Sequence, residues 1–322
     1  MAELTYLQAV REGLAEEMIR DPTVVLMGED VRLGGVFNAT PGLLDEFGAE
    51  RVIDTPISEM GFTGAAFGAA LCGIRPVVEI MFADFLGLVI DTLANQATKY
   101  WYVSNEQASV PLTIRSTVGA GGRFGAFHSQ TPVGWLQNLP GLKIAAPSTP
   151  GDMKLLLQAA IRDDNPTVIF EHKLLYGRRA EVPDAGAAVE PLGRAVTRRD
   201  GSDVTLVGAL ATVEVALAAA DLLADDGISS DVIDLRCLRP LDIETLASSI
   251  SKTRRLVVVE EGPPVGGYAA EVIAVAVLAA GGVSARRVTS PDIPFPFSGP
   301  LEDAALPSAQ AVAAAALDIV PL

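Results

Sequence analysis

Predicted strands and helices alternate along almost the whole chain, and this alternation limits the folds that are open to it. Helical patterns separate short runs of β-branched and aliphatic residues, which are typical of parallel strands buried on both faces. In the first half of the chain, these runs lie at residues 23–27, 76–80, 112–115, 142–145 and 167–170. Alternation of this kind predicts a parallel sheet that is covered by helices on both faces.

The alternation lapses between residues 181 and 199, where proline, glycine and charged residues accumulate, and it then resumes. A chain of 322 residues is long enough for two domains. The sequence therefore predicts an α/β protein with two doubly wound parallel-sheet domains, at residues 1–180 and 200–322, joined by a linker at 181–199. Residues 291–300 (PDIPFPFSGP) are too rich in proline for a regular element and are expected to form an extended strap.

The charge and the cysteines of the chain exclude several classes of protein. The net charge is −16 without any dense run of Lys or Arg, which argues against binding to nucleic acid or to a membrane and leaves room for a basic protein partner. Cys72 and Cys237 are far apart in the sequence and are predicted to be buried thiols, which fits a reducing cytosol. The first residues do not resemble a signal peptide, and no apolar run is long enough to span a bilayer. A cytoplasmic protein is therefore expected.

The segment 54–68 (DTPISEMGFTGAAFG) places one carboxylate at the junction between a predicted strand and a predicted helix. Glu59 is the only formal charge between Asp54 and Arg75, and its neighbours are mostly apolar. A carboxylate is costly to bury unless a hydrogen bond satisfies it. Either a structural partner or a ligand can provide that hydrogen bond, and the residues alone leave both interpretations open.

Glycines follow Glu59 on one side of the same predicted helix. Gly61, Gly64 and Gly68 are spaced by three and four residues, so they share a helix face that lacks side chains. Such a face allows another backbone to approach closely. It fits either packing within the core or an interface between subunits.

The glycine-rich segment 119–125 (GAGGRFG) has neither the dinucleotide-binding spacing nor that of a P-loop. We expect it to be a mobile loop at an active site, because functional residues are common on loops. His128 follows this segment and fits a structural role or a role in proton transfer equally well. His172, at the end of a predicted strand, is expected to have a structural role or to lie at the rim of a site.

Two aromatic residues, Phe82 and Phe85, follow the predicted strand at 76–80. Aromatic residues at the end of a strand are often part of the core. They can also form a stacking wall, because ligands of open α/β sheets bind outside the carboxyl ends of the strands.

Several motifs support one another. The most specific are DTPISEMGFTG at 54–64 and HSQ at 128–130, and they are accompanied by MGEDV at 27–31, MFADF at 81–85 and VIDLR at 232–236. Over essentially its whole length, the chain resembles the beta subunit of thiamine-diphosphate-dependent 2-oxo acid dehydrogenases, within the transketolase-like superfamily. These subunits belong to the decarboxylating component of the pyruvate, branched-chain and acetoin dehydrogenase complexes.

The resemblance implies roles for individual residues. Glu59 would hydrogen-bond N1′ of the aminopyrimidine ring of thiamine diphosphate and so promote ionisation of the cofactor, which carries the chemistry itself. Phe85 would pack on that ring, and Ile57 would line the same pocket. His128 would face the substrate and the lipoyl group. Glu29 and Asp91 match acidic residues that link the two active sites of the assembly.

The resemblance also implies metal ions. A potassium ion would be bound at Leu112, Ala160, Ile161, Asp163 and Asn165, in several cases through backbone carbonyls. The superfamily holds magnesium and the diphosphate group with a Gly-Asp-Gly segment and a later Asn-Asn pair, and neither occurs in this sequence. Magnesium is therefore expected to bind through an alpha subunit.

The resemblance finally implies partners. The chain is expected to be active only in an α2β2 heterotetramer with alpha subunits, and to dock on a lipoyl-bearing acyltransferase core. Its substrate would be a 2-oxo acid or acetoin, and unusual segments at 104–109 and 131–135 leave the choice open. The alternatives are half of a split transketolase-like enzyme that transfers a ketol group, or a scaffold subunit without catalytic activity.

Overall fold

The computed structural model describes residues 1–320. Its strands, numbered in chain order, are β1 Ala2–Thr5, β2 Val24–Gly28, β3 Val52–Asp54, β4 Arg75–Ile80, β5 Thr113–Val118, β6 Lys143–Ala145, β7 Thr167–His172, β8 Arg179–Val182, β9 Val196–Arg199, β10 Val204–Gly208, β11 Ser230–Asp234, β12 Cys237–Arg239, β13 Arg255–Glu260 and β14 Ser284–Thr289. Its α-helices are α1 Tyr6–Arg20, α2 Leu43–Phe47, α3 Glu59–Leu71, α4 Leu86–Asp91, α5 Thr98–Val103, α6 Val133–Gln137, α7 Pro150–Arg162, α8 Thr212–Asp225, α9 Ile243–Thr253, α10 Tyr268–Ala280, α11 Gly299–Ala305 and α12 Ala309–Leu317.

The chain forms two compact units. The first consists of residues 1–118 and 138–192, and the second consists of residues 119–137 together with the chain from Gly193 onward. Residues 119–137 thus differ from the contiguous domains that the sequence predicts. They group with the second unit because their polar groups bind partners there, such as Glu302, which accepts hydrogen bonds from Arg123.

The first unit contains six parallel strands in the order β6-β7-β5-β4-β2-β3. The amphipathic helices α1 and α7 pack against each other, and α1 begins at a capping box formed by Thr5 and Gln8. This order places the carboxyl ends of β4, β2 and β3 side by side, which is where ligands of open α/β sheets bind.

Helix α3 has one buried face and one face without side chains. Phe62, Ala66 and Ala70, four residues apart, are buried. A Cβ atom added at Gly64 or Gly68 would meet no atom of residues 1–320 within 4 Å, apart from its chain neighbours and the adjoining backbone of its own helix. The glycine face is therefore open, and the interpretation that it packs within the core of this chain is wrong.

The second unit has a five-stranded sheet in the order β14-β13-β10-β11-β9, flanked by α8, α9, α10 and α12. All neighbours pair in parallel except β9, which runs antiparallel to β11. The α/β class with two sheet domains is confirmed, and the antiparallel edge strand is an addition to the prediction. Strand β9 also shows that the segment predicted as a linker, 181–199, ends in regular structure.

The two cysteines differ in their surroundings. Cys237 is buried, and burial raises the pKa of its thiol to about 11. Cys72 is exposed, so the prediction of a buried thiol there is wrong, because the residue caps the end of α3 after the last helical turn. Within residues 1–320, no helix has both the length and the hydrophobicity needed to cross a membrane.

Candidate active site

The candidate site of the first unit lies where three neighbouring parallel strands end. Glu29 follows β2, Glu59 follows β3 after a short turn, and Phe85 follows β4. Because these strands are adjacent in the sheet, their carboxyl ends share one edge. The fold therefore brings three of the predicted site residues to the same edge of the first unit.

Glu59 is the first residue of α3, and its side chain is almost fully buried, with 7% of its surface exposed. No hydrogen bond or ion pair to its carboxylate occurs among residues 1–320. The positive end of the helix dipole favours a negative charge at this position. The structural partner that the sequence left open is not present in the described part of the chain, so water or a ligand has to satisfy Glu59.

Glu29 is a second buried carboxylate close to Glu59. It is also 7% exposed, and its Oε1 atom is buried without a hydrogen-bond partner among the described residues. Burial raises the pKa of Glu29, and the negative charges of Glu59 and Asp30 raise it further. Two buried carboxylates that repel each other favour a ligand that supplies a proton or a hydrogen-bond donor.

Aromatic rings follow β4. The half-buried ring of Phe85 lies edge-on to buried Phe82, with their centroids 6.0 Å apart, and Phe82 contacts Phe37 at 5.4 Å. The ammonium group of Lys173 lies 5.4 Å from the centre of the Phe82 ring. Phe82 is thus part of the core, whereas Phe85 keeps part of its surface available for contact with a planar group.

Two predicted residues of the first unit lie on the surface. The side chain of Ile57, just before α3, is 85% exposed. Asp91 is also exposed, and its carboxylate accepts a hydrogen bond from Asn95 at 2.7 Å within a π-helical turn, Thr92–Ala97. Turns of this kind are frequent at functional sites. Ile57 can line a pocket only where another molecule covers it.

The residues predicted to bind potassium lie at the opposite edge of the first sheet, near the amino ends of β4, β5 and β7. The Asp163 carboxylate forms an ion pair with Lys143 and accepts hydrogen bonds from the amides of Asn165. The carbonyls of Ile161 and Asp163 accept hydrogen bonds from the Arg75 guanidinium at 3.1 and 3.2 Å. The buried residues Leu112 and Ala160 complete the predicted set. Cationic and amide donors already bind several of these oxygens, so these contacts do not fit a potassium ion well.

His128 belongs to the second unit, where it is half-buried and follows the glycine-rich loop. Its backbone N–H donates to the carbonyl of Gly125 at 3.3 Å. His172, in the first unit, is fully buried, and its Nδ1 accepts a hydrogen bond from the N–H of Leu174. The structural role predicted for His172 is confirmed.

Residues on either side of His128 line a cavity of about 720 Å³ within the second unit. Its walls are mainly apolar and include Phe127, Trp135 and Phe295. Its polar groups include the hydroxyls of Thr131 and Ser290, which are buried without a hydrogen-bond partner in the described chain. The cavity therefore suits a ligand that is mostly apolar and carries a few hydrogen-bonding groups.

Glu260 also lines this cavity, and the sequence reasoning missed it. Burial raises its pKa to about 7, although the carboxylate accepts hydrogen bonds from the backbone N–H groups of Tyr268 and Ala269. The side chain is nearly inaccessible to solvent, with 2% exposed. The available signal was an acidic residue at the end of a run of valines, Val257 to Val259.

A buried ionic network that the sequence reasoning also missed spans the centre of the first sheet. Arg115 on β5 donates to Glu79 on β4 at 2.6 Å and to Glu171 on β7 at 2.7 and 3.0 Å. The two carboxylates raise the pKa of Arg115, and burial raises that of Glu79. Charged residues in or next to strands that are otherwise apolar could have indicated this network in the sequence. The network joins three adjacent strands beneath the edge where Glu29 and Glu59 lie.

The comparisons with known proteins define the class of this fold. Residues 2–179 match the family described as "Transketolase, pyrimidine binding domain", and residues 193–312 match "Transketolase, C-terminal domain". A solved structure named "Split gene transketolase, inactive beta4 tetramer" has the same fold, with a TM-score of 0.79 at 24% identity over 98% of this chain and 97% of that one.

Similarity to individual proteins assigns the chain to a narrower group within this class. It is 44% identical to the acetoin:2,6-dichlorophenolindophenol oxidoreductase subunit beta of Cupriavidus necator, over 98% of this chain and 96% of the relative. It is 43% identical to the pyruvate dehydrogenase E1 component subunit beta of Rickettsia felis, over 95% of each chain. The chain belongs to the transketolase-like family, in the group that contains these oxidoreductase beta subunits. The family resemblance predicted from the sequence is confirmed.

Proposed function

We propose that this chain is the beta subunit of a thiamine-diphosphate-dependent enzyme that oxidises a 2-oxo acid or cleaves acetoin and transfers the acyl group to a lipoyl domain. The observation that carries the proposal is Glu59, a buried carboxylate without a partner among residues 1–320, at the carboxyl edge of a parallel sheet. A ligand that shares a proton with Glu59 would offset the cost of burying it. The two relatives named above, a pyruvate and an acetoin enzyme, support the reaction class.

The residues at this edge fit the aminopyrimidine half of thiamine diphosphate. When bound, the cofactor supplies the ionisable carbon that attacks the substrate carbonyl and holds its electrons after cleavage. Glu59 holds the proton shared with the ring nitrogen, and its buried position strengthens that hydrogen bond. Glu29, whose pKa is raised by burial and by the negative charges of Glu59 and Asp30, lies at the same edge.

The ring of Phe85 and an alpha subunit that covers this surface complete the proposed pocket. The exposed part of Phe85 packs on the ring, and Ile57 contacts it once an alpha subunit covers this surface. The open glycine face of α3 lets a helix of a neighbouring subunit come close, which fits an α2β2 heterotetramer. The alpha subunit brings magnesium and the diphosphate-binding half, because this sequence lacks the Gly-Asp-Gly and Asn-Asn motifs.

His128 is assigned to the substrate and lipoyl end of the reaction, where it donates or accepts a proton. The apolar cavity beside it accepts the acyl chain of the substrate or the end of the lipoyl arm.

The choice among pyruvate, a branched-chain 2-oxo acid and acetoin stays open. The net charge of −16 fits docking on the acyltransferase core through a basic domain. We also propose that the protein is cytoplasmic.

Titration calorimetry of thiamine diphosphate and magnesium tests the split site. We expect binding to the chain mixed with its alpha subunit and no binding to either chain alone. Tight binding to this chain alone would overturn the subunit assignment. Products separate the alternatives, because ketol transfer needs no lipoyl acceptor and releases no carbon dioxide. A scaffold subunit would keep its function after Glu59→Gln.

A further inference from the structure

We propose that Glu302, acting through Arg123, is a positioning residue that holds the loop carrying His128 in place. The inference deepens the proposed function, since it rests on the role of His128 in that reaction. The sequence predicted a mobile loop at residues 119–125. The contacts of this loop within the second unit indicate a loop that is anchored at several points.

Both ends of the loop are fixed by hydrogen bonds. The N–H of Gly119 donates to the carbonyl of Gln130 at 3.4 Å, which closes the base of the loop. The N–H of Ala120 donates to the buried carboxylate of Glu261 at 2.5 Å. These bonds restrain the base and leave the tip, near Arg123, to be held by other groups.

Arg123 at the tip is the main anchor. Its backbone has a left-handed conformation with φ +65°, which is unfavourable for a residue with a side chain and persists only where contacts fix it. Its Nη1 donates to Glu302 Oε2 at 2.5 Å and to the carbonyl of Gly299 at 3.1 Å, and its Nη2 donates to Asp303 at 2.9 Å. Its backbone N–H also donates to Glu302, at 3.2 Å.

Glu302 on α11 is the buried member of this ion pair. Its side chain is fully inaccessible, whereas the Arg123 side chain is 42% exposed. Within residues 1–320, Arg123 is the cation that contacts Glu302, and the second carboxylate oxygen of Glu302 is buried without a partner. A buried carboxylate that loses its cation is strongly destabilised. Glu302 therefore holds Arg123, and with it the loop, in one position.

The proline-rich strap provides a second contact on the same loop. A Cβ atom at Gly125 would overlap the ring of Phe297, so the strap lies directly against the backbone of Gly125. The carbonyl of Gly125 in turn accepts the hydrogen bond from the N–H of His128. Only four residues separate Arg123 from His128, so displacement of the anchor is transmitted to the histidine.

The test uses the enzyme assembled with its alpha subunit and compares two electron acceptors. The lipoyl domain requires the end of the site where His128 is assigned, whereas 2,6-dichlorophenolindophenol does not require a lipoyl group. We expect Arg123→Met and Glu302→Gln to lower kcat with the lipoyl domain by about 10- to 100-fold, because small misplacements of a reacting group are costly. Turnover with the dye should fall by a smaller factor than the lipoyl-dependent rate, and Arg123→Lys should restore part of the lipoyl rate.

Arg286→Met is the matched control, because Arg286 is a similarly exposed arginine that pairs with an exposed aspartate, Asp318, in the same unit. It should leave both rates unchanged. Hydrogen–deuterium exchange should rise in residues 119–130 of Arg123→Met and not of Arg286→Met. This readout reports loop anchoring even when activity is low.

The His128→Gln background separates positioning from a general structural effect. If Arg123 acts through His128, Arg123→Met causes no further loss of the lipoyl rate in that background. Equal losses with both acceptors, an equal loss in both backgrounds, or unchanged exchange in the loop would overturn the inference. Absence of lipoyl-dependent turnover in the unsubstituted assembly would instead refute the proposed function, and the inference with it.

Discussion

Glu29 and Glu59 lie at the carboxyl ends of neighbouring strands, close enough for the charge of Glu59 to raise the pKa of Glu29. Both side chains are nearly inaccessible, and neither has an ion-pair partner in residues 1–320. A ligand that supplies a hydrogen-bond donor relieves the repulsion between two such carboxylates. This relationship gives the strongest support to a ligand at this edge, and the first prediction follows from it.

Glu59→Gln is expected to lower turnover of the assembled enzyme by about 100-fold or more, because an amide cannot share a proton as a carboxylate does. Assembly should be unaffected, since Glu59 forms no ion pair in the described chain. Steady-state rates and size-exclusion chromatography measure the two effects. Glu50→Gln, the same change at an exposed position, is the control. Turnover of Glu59→Gln within about twofold of the unsubstituted enzyme would contradict the assigned role.

The raised pKa of Glu260 predicts that the stability of the folded chain depends on pH. Its pKa is raised to about 7 in the folded chain, so the folded chain holds a proton that the unfolded chain releases near its ordinary pKa of about 4.3. Stability therefore falls as pH rises from about 4.3 to about 7. Glu260→Gln removes this loss, which we expect to be of the order of 1–3 kcal/mol.

The measurement is the midpoint of thermal unfolding at pH 5 and pH 8. The unsubstituted chain should lose more stability between these two values than Glu260→Gln does. Comparing the two pH values within each variant cancels any hydrogen bond that the amide fails to make. Glu271→Gln, at an exposed position on α10, should behave like the unsubstituted chain. An identical pH dependence in Glu260→Gln would contradict the prediction.

The open glycine face of α3 predicts that a substitution there can block assembly without preventing folding. In Gly68→Leu, the first added carbon would meet no atom of the described chain beyond its own helix within 4 Å. The isolated chain should therefore fold and gain up to about 1 kcal/mol of helix stability. The same side chain should block the approach of a neighbouring subunit. Mass photometry of the mixture with the alpha subunit is expected to show loss of the heterotetramer.

Ala218→Leu, at an exposed position of α8, is the control for Gly68→Leu and should assemble normally. A Gly68→Leu chain that still forms the heterotetramer would show that this face is not an interface.

A substitution at Asp163 tests the predicted potassium site. Asp163→Asn breaks the ion pair with Lys143, so we expect it to lower the midpoint of thermal unfolding equally in potassium and choline chloride. The contacts of Arg75 with the neighbouring carbonyls support this expectation. A stabilisation specific to potassium in the unsubstituted chain that Asp163→Asn abolishes would support the potassium site instead.

Local patterns account for the parts of the site that could be predicted. The alternation of strands and helices gave the α/β class, and the lone charge in an apolar junction singled out Glu59. Glu29 entered only through the family resemblance, because an acid in the turn after a strand is common. Its proximity to Glu59 depends on β2 and β3 being neighbours in the sheet, which no local pattern specifies.

Long-range contacts explain what the sequence did not reveal. The binding of Arg123 to Glu302 joins residues 179 positions apart and assigns the glycine-rich loop to the second unit. The contacts of Arg75 with the carbonyls of Ile161 and Asp163 likewise join residues that are 86 and 88 positions apart. Cys72 was assigned to the core because its neighbours are apolar, but the end of α3 places it outside.

The exposure of Ile57, two residues from a buried catalytic candidate, has a consequence for the life of the chain before it meets a partner. On the proposed function, a newly made copy is inert, so it consumes no metabolite while alone. Its exposed Ile57 and Met60 side chains also present the kind of apolar surface that chaperones and proteases bind on unassembled proteins. The same patch that completes the enzyme would thus mark surplus subunits for removal and keep the two chains in balance.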